Sequence, residues 1–176
     1  MFYAAGGGLL SLKQAITLEK SAKSIISTLH NTTIKATRMS SLTYSNDPTG
    51  PGLKASETYH YSQSVILPSG IVKVSGQGGW DSSQVLPPDM KSQIDLAFAN
   101  VDRVLQDHGL KGWEDVYLWR SYAVGMDDAM QHLVQKIRER VPGHRPVWTA
   151  LSVPKLGLEE MLIEIEVEAF APVKRE

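Results

Sequence analysis

The chain has 176 residues, 42% hydrophobic and 21% charged, with no cysteine and a formal net charge of −1. That is the size and make-up of one ordinary globular domain with a real core, and it excludes disulfides, a thiol nucleophile and a thiolate metal site. No apolar run approaches the roughly 20 residues of a membrane span, and the charge balance offers no broad Lys/Arg surface for nucleic acid.

Residues 1–38 differ from the rest. Lys13, Lys20, Lys23, Lys35 and Arg38 stand against Glu19 alone, which is +4 and leaves −5 on the remainder. Leu12, Ile16, Ile25, Ile26 and Leu29 fit one side of a helix. The composition suits an amphipathic targeting segment, as for mitochondrial import; the other readings are a disordered tail on a cytoplasmic protein, or translation beginning at Met39. The segment is expected to lie outside a single domain spanning 39–176.

Residues 44–58 carry Asp47-Pro48-Thr49-Gly50-Pro51-Gly52 and read as a turn-rich entry loop without a helix. Two strands follow, Tyr61–Leu67 and Ile71–Ser75, with Pro68-Ser69-Gly70 as hairpin turn. Ser75-Gly76-Gln77-Gly78-Gly79-Trp80 comes next; its glycines permit close approach of backbone or ligand, but neither a dinucleotide fingerprint nor a phosphate loop is present. Pro87-Pro88-Asp89 opens a helix whose stripe is Met90, Ile94, Ala97, Phe98, Val101, Val104 and Leu105, with Gly109 as the stop. Asp115–Val124 alternates as a strand, with Val116, Leu118, Arg120, Tyr122 and Val124 on one face. Asp127 or Asp128 caps a second helix carrying Met130, Leu133, Val134, Ile137 and Val141.

From His144 to Ala171 the chain reads as two strands joined by a short turn. In the last, Met161, Ile163, Ile165, Val167 and Ala169 oppose Leu162, Glu164, Glu166 and Glu168, the period-two pattern of a strand with one buried face. The order β-β-α-β-α-β-β implies an α+β fold with two helices on one face of a largely antiparallel or mixed sheet. The other face then needs cover, which points to association with further copies.

Tyr61-Ser62-Gln63, Val74-Ser75-Gly76-Gln77, the helix around Asn100-Val101 and Leu162-Ile163-Glu164-Ile165-Glu166, in that order and spacing, resemble the Rid family, the YjgF-type reactive intermediate deaminases. The resemblance spans roughly Tyr59 to Ala171. It implies a chorismate-mutase-like protomer assembled as a homotrimer with three intersubunit clefts. It also implies hydrolysis of 2-imino and 2-aminoacrylate intermediates to 2-keto acids and ammonia, without metal or organic cofactor. Tyr61, Ser75, Gly76 and Gln77 match cleft positions of the family, and Glu164, with Glu166 as alternative, matches the glutamate that places the attacking water. Where the family's deaminases have Arg-Ser to fork the substrate carboxylate, this chain has Trp148-Thr149. An indole offers one N–H and an apolar face and cannot replace a bidentate guanidinium.

The resemblance thus implies a trimer binding small metabolites against Trp148, with deaminase chemistry altered, weak or lost. The alternative is a working imine hydrolase that recruits Arg120 or Arg145. Ribonuclease or translation inhibition is a third reading, disfavoured by the acidic body and the lack of a histidine pair. His60, His108, His132 and His144 lack metal-ligand spacing. Trp80, Trp119 and Trp148 make either an aromatic box for a flat ligand or core packing, and Glu168 reads as a solvated strand position.

Overall fold

The computed structural model describes residues 41–46 and 52–170. The segment expected to be an extension, 1–38, lies outside the described residues. The elements run β1 (Thr43–Ser45), α1 (Gly52–Tyr59), β2 (Ser64–Ile66), β3 (Ile71–Gly78), α2 (Met90–Gln106), β4 (Val116–Ala123), α3 (Met126–Arg140), β5 (Val147–Ser152) and β6 (Ile163–Phe170), with a 3-10 turn at Trp113–Asp115 leading into β4. The strands form one mixed sheet in the order β1-β2-β3-β6-β4-β5. No described helix is long and apolar enough to cross a membrane.

The alternation of β6 does what its pattern implies. Ile163, Ile165, Val167 and Ala169 are buried, while Glu164, Glu166 and Glu168 sit on the opposite face. Central between β3 and β4, both antiparallel to it, β6 joins the halves of the sheet. Helix α2 packs on β3 and β6, and α3 packs beside it. Asp89 caps α2 by accepting from the Ser92 amide at 2.9 Å, worth about 1 kcal/mol. The core between layers contains Ile94, Phe98, Val101 and Leu105 from α2 and Leu133 from α3, all essentially inaccessible.

The two C-terminal strands are not a hairpin. β5 pairs with β4 in parallel, Trp119 opposite Trp148 and Arg120 opposite Thr149, and β4 separates β5 from β6. Parallel partners need a crossover, which α3 supplies between β4 and β5.

Other expectations are corrected by local detail. Residues 44–58 hold a strand and a helix, so among the described residues the sheet has six strands and there are three helices. The turn-forming residues stop at Gly52, and Leu53-Lys54-Ala55-Ser56-Glu57 beyond them are compatible with a helix. The first expected strand is cut to Ser64–Ile66. Tyr61 N donates to Ser56 O, and Gln63 uses its amide on Asn46 Oδ1 at 2.9 Å and its carbonyl on Ser75 N at 2.8 Å, so this segment is bound in a loop. His60 turns that loop at φ 55°.

At α3 the cap is Gly125, in a left-handed conformation at φ 85°, and Asp127 and Asp128 lie inside the first turn, where carboxylates favour the positive helix end. Helix α2 ends at Gln106, and Gly109, φ 74°, completes the turn after it. A register shift between Val116 and Leu118 breaks the alternation of β4. Val116 is therefore buried and Tyr117 is carried out to the open face.

Candidate functional site

The site is built on a break in the β3–β6 ladder. Val74 pairs with Val167 and Gln77 with Ile165, so Ser75 and Gly76 together oppose Glu166. Such a bulge leaves backbone groups without ladder partners and re-aims side chains. Ser75 is held by its hydroxyl donating to Ser62 O at 2.7 Å. Gln77 Nε2 donates to Ser75 O and Gly76 O at 2.9 and 3.2 Å. Gln77 faces the buried side with Ile165 and is 1% exposed, so it fixes the bulge from below.

Gly76 makes room above. A Cβ there would overlap the Glu164 carboxylate, so the glutamate lies directly across the strand backbone. Burial first, then the charge of Glu166, raises the pKa of Glu164 above the ordinary glutamate value. The Glu164 carboxylate has neither ion pair nor hydrogen bond among the described residues. Tyr61 lies beside it; burial and then the Glu164 charge push its phenol upward.

Over this floor is a cleft of about 480 Å³, within the range of small-molecule sites. Tyr59 from α1, Tyr61, Trp80, Leu158 and Met161 give it an apolar and aromatic wall; Ser75, Gly76 and Glu164 give it a polar base. A wider hollow of about 770 Å³ adjoins it, sharing Tyr61 and Ser75 and reaching Lys73 and Glu166.

Helix α2 positions the wall. Asn100 Nδ2 donates to Gly78 O and Trp80 O at 2.8 and 2.9 Å. Gln93 Nε2 donates to Pro87 O and Glu160 O, and its Oε1 accepts from Leu162 N, all at 2.8 Å. One buried amide thus ties the loop after Trp80 and the loop before β6 to the helix. Gly79 allows this approach, because a Cβ there would strike the Gln93 backbone.

Of the residues singled out from sequence, Tyr61, Ser75, Gly76 and Glu164 meet in the cleft, and Glu166 borders the hollow. Arg120 is on the same sheet face, bound to Glu166 at 2.7 Å, with Tyr122 Oη also donating to that carboxylate at 3.1 Å. Thr149, opposite Arg120, is exposed. Within one protomer Trp148 lies elsewhere. It stacks on Trp119 at 4.4 Å and 9° and donates Nε1 to Ser121 Oγ at 3.0 Å, on the helix side of the sheet. Phe98, Trp113 and Trp119 continue that aromatic cluster. Of the three tryptophans considered for a box, Trp80 alone reaches the cleft. Arg145 is exposed just ahead of β5, without an ion-pair partner among the described residues.

Sequence reasoning did not foresee the cleft roles of Tyr59, Leu158, Gln93 and Asn100, nor that Met161, expected in the last strand, lies just before it and lines the cleft. Leu158 and Met161 carried a signal, two apolar residues bracketing Glu159 and Glu160 just before β6. For Gln93, a polar residue among apolar helix positions was the cue.

The family model described as Endoribonuclease L-PSP matches residues 53–171. No curated protein matches the chain. Solved structures similar to it include a Mycobacterium tuberculosis member of the YjgF/YER057c/UK114 family, 22% identical over 74% of this chain and 100% of that one, with a TM-score of 0.61. A Rid-family protein of unknown function from Yersinia pestis is 21% identical over 74% and 99%, TM-score 0.64. RidA from an Antarctic Psychrobacter is 24% identical over 63% and 88%, TM-score 0.58. At these identities the likeness is one of fold.

Proposed function

The chain belongs to the Endoribonuclease L-PSP family, the YjgF or Rid proteins, and from that membership we propose that it binds a small metabolite in the cleft over Glu164. The working form is a homotrimer whose neighbouring copies complete three such clefts, and the 2-imino- and enamino-acid deaminase chemistry is altered or weak. The observation that carries this reading is the Glu164 carboxylate, seated over Gly76 beside Tyr61 with no cation to match it among the described residues. A carboxylate whose pKa is raised above the ordinary glutamate value suits proton transfer to and from water. An imino acid, however, brings its own carboxylate, and no described residue lining this cleft is a Lys, Arg or His. Arg120, the nearest candidate on the sheet face, is committed to Glu166.

A second reading is a working imine hydrolase. Arg145 favours it, being exposed and unpaired among the described residues at the sheet edge, where a neighbouring copy could receive it. The ribonuclease reading has less support, because a carboxylate floor without cations repels phosphate.

The test is a coupled assay in which an amino-acid oxidase generates 2-iminopropionate or an aromatic imine and semicarbazone formation reports its lifetime. The first reading expects imine loss close to that in buffer. Acceleration abolished by Arg145→Ala and by Glu164→Gln establishes the hydrolase. Acceleration indifferent to Glu164→Gln overturns both readings.

A further inference from the structure

Two glycines of β3 seat the two parts of the cleft floor. The Glu164 carboxylate lies over Gly76, and the Trp80 ring and Met161 Cε lie over Gly78, where a Cβ would strike both. Gly78 pairs with Glu164 across the β3–β6 ladder, so this apolar pair stands next to the carboxylate. Tyr59 and Leu158, both exposed, carry the wall on to the mouth of the cleft.

The wall is held from within one copy. Asn100 Nδ2 holds the Trp80 carbonyl, and the Gln93 amide holds Glu160 O and Leu162 N on either side of Met161. Both amides belong to buried residues of α2. A neighbouring copy that completes the cleft can bring a partner for a ligand carboxylate, but it meets an apolar wall whose backbone is already fixed. At about 480 Å³ the space suits a ligand larger than pyruvate. A methyl side chain leaves Trp80 and Met161 largely facing water. A branched or aromatic one covers them, each buried methylene adding about fourfold in affinity, and a ring can stack on the indole.

We infer that the Trp80–Met161 wall makes the cleft select 2-imino and 2-keto acids with a branched or aromatic side chain over those with a methyl one. C2 of the ligand lies over Glu164 and its side chain lies against Trp80 and Met161. Its carboxylate turns to the part of the cleft that a neighbouring copy closes. The selection deepens the proposed function and rests on the cleft being the ligand site.

The full chain is titrated by calorimetry with pyruvate, 4-methyl-2-oxopentanoate and 2-oxo-4-phenylbutanoate. These share the 2-keto acid end, so the carboxylate contact is constant and the side chain alone varies. The two larger acids are expected to bind at least about tenfold more tightly than pyruvate. Trp80→Ala should erase most of that preference, bringing 2-oxo-4-phenylbutanoate to within about threefold of pyruvate. Leu158→Ala, at an exposed loop position that folding does not depend on, should narrow the preference by about threefold and serves if the tryptophan variant is unstable. Equal affinity for the three acids, or a preference undiminished in these variants, overturns the inference and leaves the cleft as the ligand site. Failure of all three acids to bind the parent chain overturns the proposed function, and the inference with it.

Discussion

The side chain of Glu164 lies directly over the backbone of Gly76, in the space that a Cβ at that position would fill. The glycine is required by room, not by backbone conformation, since Gly76 is absent from the positive-φ glycines. Gly76→Ala should therefore displace the carboxylate and weaken ligand binding, at about 1–3 kcal/mol of stability from overpacking. Glu164→Ala in the same chain should recover most of that stability. Chemical denaturation of the two single variants and the double variant measures this coupling; additive losses refute the contact.

Glu164 should make stability fall as pH rises. Its folded-state pKa is raised, by burial and then by Glu166, so the native state holds the proton at pH values where the unfolded chain has lost it. Its contribution is fully present below the ordinary glutamate value of 4.5 and is lost as pH climbs through the folded value. Glu164→Gln should match the parent's Tm in acid and exceed it near neutrality. A constant difference across pH would contradict the burial of this carboxylate.

On the same face Tyr117 Oη donates to Glu168 Oε2 at 2.7 Å. That hydrogen bond, with burial and the carboxylate charge behind it, pushes the phenol up to about 12. The sign is that of a raised group: stabilisation is present below the ordinary value of 10.0 and is lost between there and about 12. Tyr61 and Tyr122 are raised as well, so tyrosinate absorbance during alkaline titration should show several phenols titrating late, and Glu168→Gln should bring one of them, Tyr117, back down. No change in Glu168→Gln would break the assignment.

Gln93 is fully buried, and its side-chain amide serves Pro87 O, Glu160 O and Leu162 N. Gln93→Leu keeps the approximate bulk and strands three backbone groups. The expected loss is about 2–4 kcal/mol, since each orphaned group costs about 1–3 and the loops partly relax to water. Cleft affinity should fall in parallel as the walls carrying Trp80 and Met161 loosen. Urea denaturation and probe titration on one variant test both; full stability would show that the loops do not depend on this residue.

Trp148 should behave as a packing residue of the protomer. Trp148→Ala removes the stack on Trp119 and the hydrogen bond to Ser121 Oγ, for a loss of about 2–4 kcal/mol, at or below the usual large-to-small range because the ring is only half-buried. Trp148→Arg should also lower Tm and confer no faster imine hydrolysis. A gain of hydrolysis in that variant would place position 148 in the cleft of the assembled trimer.

Much of the site was legible because it rests on local pattern. The alternation from Ile163 to Ala169 placed Glu164 on the outward face, and Ser75-Gly76-Gln77 stood out as a place of close approach. The stripe of α2 and its Asp89 cap were equally visible, since helical periodicity and capping act within a few residues. Where a break in pattern decided the outcome, the reading failed. The β4 bulge sent Tyr117 outward against its expected face, and turn residues at 47–52 hid the short helix beyond them.

By itself the sequence determined an α+β domain, its two main helices, and a final strand with a carboxylate row opposite a buried row. Those features follow from short-range stereochemistry and from which side chains leave water. Tertiary structure alone decided that β4 separates β5 from β6, that Trp148 joins the Trp119 stack, and that Arg120 and Lys73 pair with two glutamates while Glu164 has no such partner among the described residues. Strand order and register bring together residues 46 to 95 positions apart, and no local periodicity encodes which charge will meet which.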